Sequence, residues 1–215
     1  MQDFTIVTGM IIKAVPIGEY DRRLVLLTKE KGKITAFVRG ARKPNSRFVA
    51  ATNLFCFGTF KLYAGRDAYN LADAEISNYF EELRMDFEGA YYGMYFLEIA
   101  DYYTRENNDE REMLKLLYQS LKAISAPSLP NQLVRAVYEL KSVIVNGEFP
   151  GIPEGKSYLP ATEYTVDYIV NSTIEKLYTF TVTDAVLTEI KGIAAKICKI
   201  CLQTRFKSLE ILDTL

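Results

Sequence analysis

The chain has 215 residues, a net charge of −1, and 49% hydrophobic against 25% charged residues. This balance excludes a fibrous or disordered chain and fits one globular domain or two small ones. There is no histidine and there are three cysteines, Cys56, Cys198 and Cys201. That sets aside the commonest general base, the Ser–His and Cys–His nucleophile pairs, most catalytic zinc sites and a disulfide framework.

No apolar run reaches the roughly 18 residues of a membrane-spanning helix. The opening Met-Gln-Asp-Phe-Thr carries an acid and no basic region before an apolar stretch, so no secretory signal is expected and the cytosol is the default location. Charge is unevenly spread: residues 1–77 hold 12 basic and 7 acidic residues, and 78–215 hold 14 and 20. Opposite signs suggest two domains, 1–77 and 78–215, with different partners.

The first 77 residues read as strands. Thr5–Val15 is rich in β-branched residues and stops at the turn signal Pro16-Ile17-Gly18. Asp21–Thr28 is a second strand, with Glu30-Lys31-Gly32-Lys33 as a hairpin turn. Ile34–Arg39 puts Ile34, Ala36 and Val38 on one face and Thr35, Phe37 and Arg39 on the other. Gly40–Ser46 is a polar loop. Phe55–Tyr63 and Ala68–Ile76 complete five short strands, which suggests a small barrel of the OB type. Beyond Ser77 the period changes to 3.6. Glu81–Tyr103 carries Leu83, Phe87, Ala90, Tyr91, Met94, Leu97 and Asp101 at helical spacing, apolar except for the last. Further helices are expected over Arg111–Ile124, Asn131–Asn146 with a cap at Asn146-Gly147, Thr162–Ser172, and Thr183–Thr204 with Thr183 as N-cap. Two prolines and two glycines make 149–155 a loop. The fold class is therefore α+β, a five-stranded OB barrel followed by an all-α domain.

The richest feature is the stretch Arg22–Arg47. It holds nine basic residues (Arg22, Arg23, Lys29, Lys31, Lys33, Arg39, Arg42, Lys43 and Arg47) against one acid, Glu30. Such a run is commonly just a solvated face. On a stiff sheet it also tracks a polyanion, of which nucleic acid is the usual one. Gly40 permits close backbone approach to a phosphate, Arg42, Lys43 and Arg47 release counterions, and Asn45 and Ser46 can donate to phosphate oxygens. Phe37, sharing a face with Arg39, is the best candidate for stacking a base, whereas Phe48, Phe55 and Phe57 read as core. Cys198 and Cys201 lie three apart in a helix, read as two buried small side chains, and lack the second pair that a zinc site needs. Asp109, Glu110 and Glu112 read as a helix start rather than a metal site.

The order and spacing of Gly18-Glu19-Tyr20-Asp21, Thr28 to Gly32, and Arg39-Gly40-Ala41-Arg42-Lys43-Pro44-Asn45-Ser46-Arg47 resemble the RecO family of bacterial recombination mediators. Weaker likeness continues through Phe96-Leu97-Glu98, Tyr138-Glu139-Leu140 and Lys207-Ser208-Leu209. The resemblance implies a non-enzymatic, cofactor-free role in homologous-recombination repair, in the cytoplasm and at the nucleoid. It implies binding of single- and double-stranded DNA, strand annealing, engagement of the acidic, Phe-ending tail of single-strand-binding protein, and action with RecR to load RecA. On that likeness the DNA-binding residues are Arg22, Arg23, Lys33, Phe37, Arg39, Arg42, Lys43, Ser46 and Arg47, and Arg135 matches a residue pairing with the tail carboxylate. Many family members carry a zinc module of two CxxC pairs where this chain has Phe149-Pro150-Gly151-Ile152-Pro153, so a metal-free loop is expected there. Two rivals stay open: an adaptor whose basic barrel binds an acidic protein, and a carboxylate-and-metal nuclease.

Overall fold

Alternating side chains close five strands into a barrel in the computed structural model, which describes residues 4–155 and 157–215. The first three residues, on which the reading of the N-terminus partly rests, lie outside that range. The strands are β1 (Phe4–Ile17), β2 (Asp21–Thr28), β3 (Gly32–Val38), β4 (Phe57–Ala64) and β5 (Tyr69–Asn78). Their order is β1-β2-β3-β5-β4, the OB topology. Neighbours are antiparallel except β3 and β5, which run parallel through Ala36↔Tyr69 and Phe37↔Asn70.

Closure depends on β1. Its first half, Phe4–Met10, pairs with β4, and Gly9–Ile17 pairs with β2, with an irregularity between Ile11 and Lys13. One face of every strand fills the interior: Val7, Leu24, Leu26, Ile34, Phe60 and Leu62 are all buried. Gly9 and Gly58 sit opposite each other, where β1 passes to β4. A Cβ on Gly9 would strike the Leu27 carbonyl, and one on Gly58 the Glu75 carbonyl. Only glycine lets the strands come this close.

The strands expected from alternation all form. Two local features differ. A four-residue helix, α1 (Phe48–Ala51), lies between β3 and β4. β4 begins at Phe57 rather than Phe55, because Phe55 has a left-handed backbone (φ +70°). That conformation costs a non-glycine residue about 1–2 kcal/mol. Burial of the ring and a bond from the Phe55 N–H to the Ile11 carbonyl (3.1 Å) offset it.

The helices are α2 (Glu81–Met85), α3 (Phe87–Tyr103), α4 (Arg111–Ile124), α5 (Asn131–Val145), α6 (Pro160–Asn171), α7 (Asp184–Cys201) and α8 (Lys207–Leu212), with a single 3₁₀ turn over Ile174–Lys176. The expected helix over 81–103 is broken at Asp86, whose carboxylate occupies the space a Cβ on Gly89 would need. Thr183 caps α7 by accepting from the Val186 N–H (3.5 Å). Gly147 (φ +72°) ends α5: the Glu148 N–H reaches the Val143 carbonyl and the Gly147 N–H that of Ile144, the two bonds of a Schellman cap.

The chain forms two compact units. The first runs to Glu81 and takes in Ala100–Leu114; the second joins Glu82–Ile99 to Lys115–Leu215. Helix α5 is the axis of the second unit. From Leu133 to Val143 every residue but Arg135 is buried, and α6 and α7 pack against it. A helix buried nearly all round needs such cover. Its buried Lys141 donates to the carbonyls of Ile169, Val170 and Ser172 at the end of α6 (2.8–3.0 Å), where an ammonium complements the C-terminal dipole.

Gly58→Ala should lower stability to urea by about 1–3 kcal/mol, because backbone must move. Gly192→Ala, on the open face of α7 with nothing near the new methyl, should raise it by about 0.5–1 kcal/mol. Parallel urea titrations followed by circular dichroism check both signs.

Candidate nucleic-acid interface

The segment between β3 and β4 carries much of the positive charge, and the barrel pins it along its length. The Asp21 carboxylate on β2 accepts the Gly40 N–H (2.7 Å), where φ is +65°. The Arg42 N–H donates to the Tyr20 carbonyl (2.8 Å), and its guanidinium to the Glu19 carbonyl (3.3 Å). Arg22 donates to the Thr52 carbonyl (3.0 Å), the Thr52 hydroxyl (2.8 Å) and the Asn53 side chain (3.0 Å). Arg47 donates to the Ala72 carbonyl on β5 (2.6 Å), pairs with Asp73 (3.2 Å) and lies over the Phe48 ring. The Lys43 ammonium stands 5.7 Å from the centroid of the Tyr20 ring.

A shallow cleft of about 460 Å³ results, lined by Arg39, Gly40, Lys43, Asn45, Ser46, Arg47 and Phe48. Three cations and two short polar side chains face one space. The Ser46 hydroxyl also accepts the Phe48 N–H (3.2 Å), which fixes the start of α1. Arg42 is exposed beside the cleft. On the outer sheet face, Arg23 of β2 and Phe37 of β3 are directly opposite and both exposed. The cations of the cleft have the charge to neutralise phosphates, and the exposed ring has the face on which a base can stack.

Two predicted contacts are diverted. Arg22 points into the 52–53 turn and spends its charge holding the loop. Lys33 donates to the Asp101 carbonyl (2.6 Å) and carboxylate (3.0 Å), and Lys13 joins the same carboxylate (2.6 Å). Asp101 closes the last turn of α3, and the chain beyond it lies against β3: the Lys33 N–H donates to the Arg105 carbonyl (2.9 Å) and the Asn107 N–H to that of Lys31 (3.0 Å). The interface proposed below leaves out both cations. Sequence reading gave Asp21 no role, although it stands in the Gly-Glu-x-Asp signature; its bond to Gly40 depends on a fold that spacing cannot reveal. Phe55 is buried as expected, and Phe48 and Phe57 are partly buried.

In the helical unit, Arg135 is half-buried. Its Nε–H donates to Glu139 (2.9 Å), its Nη1 approaches Asp213 beyond α8 (3.4 Å), and its guanidinium lies over the Tyr95 ring. Burial alone would lower its pKa, but the Glu139 charge more than reverses this, so Arg135 stays cationic. The Tyr95 hydroxyl donates to the same Glu139 oxygen (2.8 Å). Ser208 of α8 donates through its N–H and hydroxyl to Glu98 (3.3 and 3.2 Å). Two of the five guanidinium donors are engaged by these carboxylates. Cys198 and Cys201 are only partly buried, short of the full burial expected, and burial raises the pKa of both thiols, which makes them poor nucleophiles. Among the described residues no group of three or more Cys, Asp or Glu side chains is placed to hold a metal ion, and no helix is long and apolar enough to cross a membrane.

A closed OB barrel bearing a cationic cleft, followed by a helical unit built on a buried axis, defines the class of protein. Family models resolve it further. The model for the N-terminal part of recombination protein O matches residues 1–80, and the model for its C-terminal part matches residues 84–150. A DNA repair protein RecO of Acetivibrio thermocellus is 28% identical across 97% of this chain and 96% of its own. That of Clostridium perfringens is 25% identical across 95% of each, and that of Symbiobacterium thermophilum 36% identical across 68% of this chain and 58% of its own. The chain belongs to the RecO family of DNA repair proteins.

The Asp101 cluster gives a pH dependence. Burial acts to raise the carboxyl pKa, but bonds from Lys13 and Lys33 outweigh it, and the folded value lies below the ordinary 3.8. A depressed carboxyl stabilises the fold above its unfolded pKa and loses that contribution as pH falls through the folded one. Asp101→Asn should therefore cost about 1–2 kcal/mol near neutrality. Urea midpoints of variant and parent should converge as pH falls below 3.8 and through the folded value; a gap that stays constant throughout acid titration contradicts the assignment.

Proposed function

We propose that this protein is a DNA-binding recombination mediator that works by charge and shape, with no covalent step. The supporting observation is the pinned cleft of Arg39, Lys43, Ser46 and Arg47, with Arg42 beside it and the Arg23–Phe37 pair on the adjoining sheet. The barrel region, 1–77, grips phosphates of single- or double-stranded DNA. Bases not held by the protein remain free to pair, so a complementary strand anneals. The acidic half, 78–215, repels the duplex and carries the protein contacts: the acidic tail of single-strand-binding protein, and RecR, with which RecA is loaded. Arg135 is the proposed partner of the tail carboxylate, through the donors that Glu139 and Asp213 leave unused. The protein acts in the cytoplasm, on the nucleoid during repair, without cofactor or metal.

With five cations at the interface, log affinity for a single strand should fall against log salt with a slope near −3 to −4, at ~0.7 per phosphate. Arg42→Glu combined with Lys43→Glu should abolish binding at physiological salt while leaving the circular dichroism spectrum unchanged. Retained affinity in a folded double variant rejects the interface. An acidic peptide of equal charge should bind the parent protein at least tenfold more weakly than the oligonucleotide; equal binding turns the reading towards a protein adaptor.

A fluorescence titration with an acidic peptide ending in Phe tests Arg135. Arg135→Gln should weaken binding at least tenfold. Asp213→Asn, which removes a competing carboxylate, should tighten it several-fold. Tail affinity indifferent to both changes moves the tail site elsewhere.

A further inference from the structure

The strand register draws one outward row around the barrel. Arg23 on β2 faces Phe37 on β3; Phe37 pairs with Asn70 on β5; Asn70 pairs with Tyr63 on β4; and Tyr63 pairs with Phe4 on β1. Directly paired residues project from the same face of a sheet, so these five side chains share the outer wall and take no part in the interior cluster. Strands lie about 4.8 Å apart, which puts Tyr63 about 10 Å from Phe37 and Phe4 one strand further on.

The far end of this row resembles its near end. Phe4 is 48% exposed and Phe37 39%. Tyr63 meets Phe4 edge-to-face, with ring centroids 6.4 Å apart. The Lys61 ammonium stands 4.2 Å from the Phe4 centroid. Both ends thus pair an exposed ring with a cation, and polar Asn70 lies between them. The basic loop reaches the row too. Arg47 bonds to Ala72 and Asp73 on β5, and Asp73 lies directly opposite Lys61. Arg47 thereby offsets the acid that faces Lys61 across the β4–β5 pairing. A purely apolar partner gains nothing from cations interleaved with the rings; an unpaired strand uses both, stacking bases on the rings and laying phosphates on the cations.

We infer that the single-strand track continues from β3 across β5 onto β4 and β1, with Tyr63 and Phe4 as further stacking platforms and Lys61 as a further phosphate contact. The ligand is single-stranded DNA, because bases inside a duplex are closed to such rings. The inference rests on the reading of the barrel as a DNA-binding module, and it adds strand discrimination: the basic loop holds either form, whereas the row selects the unpaired one.

The test uses the full chain and two readouts. Phe4→Ala combined with Tyr63→Ala should weaken binding to a long oligothymidylate about tenfold, with duplex affinity and the urea midpoint unchanged. The chain contains no tryptophan, so Tyr63→Trp introduces a sole indole whose fluorescence oligothymidylate should quench and duplex should not. If single-strand affinity survives the double alanine change, or duplex quenches the indole equally, the extended track is wrong while the basic loop can still stand. If single- and double-strand affinities fall together with the urea midpoint, the rings are structural and the inference fails. If the parent protein binds neither DNA form, the DNA reading itself falls, and quenching by a protein partner instead would assign the row to that partner.

Discussion

Asp21 and Arg22 are neighbours on β2, and their side chains hold the two ends of the segment that carries the candidate interface. The carboxylate fixes Gly40 and the guanidinium fixes Thr52 and Asn53. Between these anchors the chain has one turn of helix and little other regular structure. Left free, Arg39, Lys43 and Arg47 would spread apart by repulsion. Tied down, they converge on one cleft, and much of the entropy of ordering them is lost on folding rather than on binding. Arg22 thus contributes to a cationic surface without being part of it.

The barrel that supplies those anchors depends in turn on β1, which bonds to β4 and β2 by its two halves. Gly9 lets it approach β2 closely, and the facing Gly58 lets β4 approach β5. The same closure fixes the outer register, so an outward row can run from β2 to β1 without a break.

Much of this was legible in the sequence. Alternation marked the five strands, a change of period marked the helices, and Thr183 and Asn146-Gly147 marked caps that form. The basic loop stood out by charge alone. Pairing partners were less legible. The parallel contact of β3 with β5 spans two residue pairs, too few to leave a pattern. Arg22 finds Thr52 thirty residues away and Lys33 finds Asp101 sixty-eight away, so counting cations cannot separate those facing solvent from those facing the protein. Asp101 was visible as the lone acid on an apolar stripe, but its two lysines belong to strands far up the chain. Phe55 looked like a strand residue because its composition is that of a strand, while its left-handed backbone is imposed by the tertiary bond to Ile11. Arg135 came from likeness to a family; its contacts with Glu139 and Asp213 required coordinates.

Ring closure has one more effect. β3 leaves β5 after a short pairing, and the backbone of Arg105–Asn107 bonds to the hairpin there. A ligand approaching this part of the wall finds hydrogen-bonding backbone already matched, which discourages assembly by strand addition and the edge-to-edge clumping of open sheets. Recognition is left to side chains, so it can be retuned one residue at a time without disturbing the scaffold beneath.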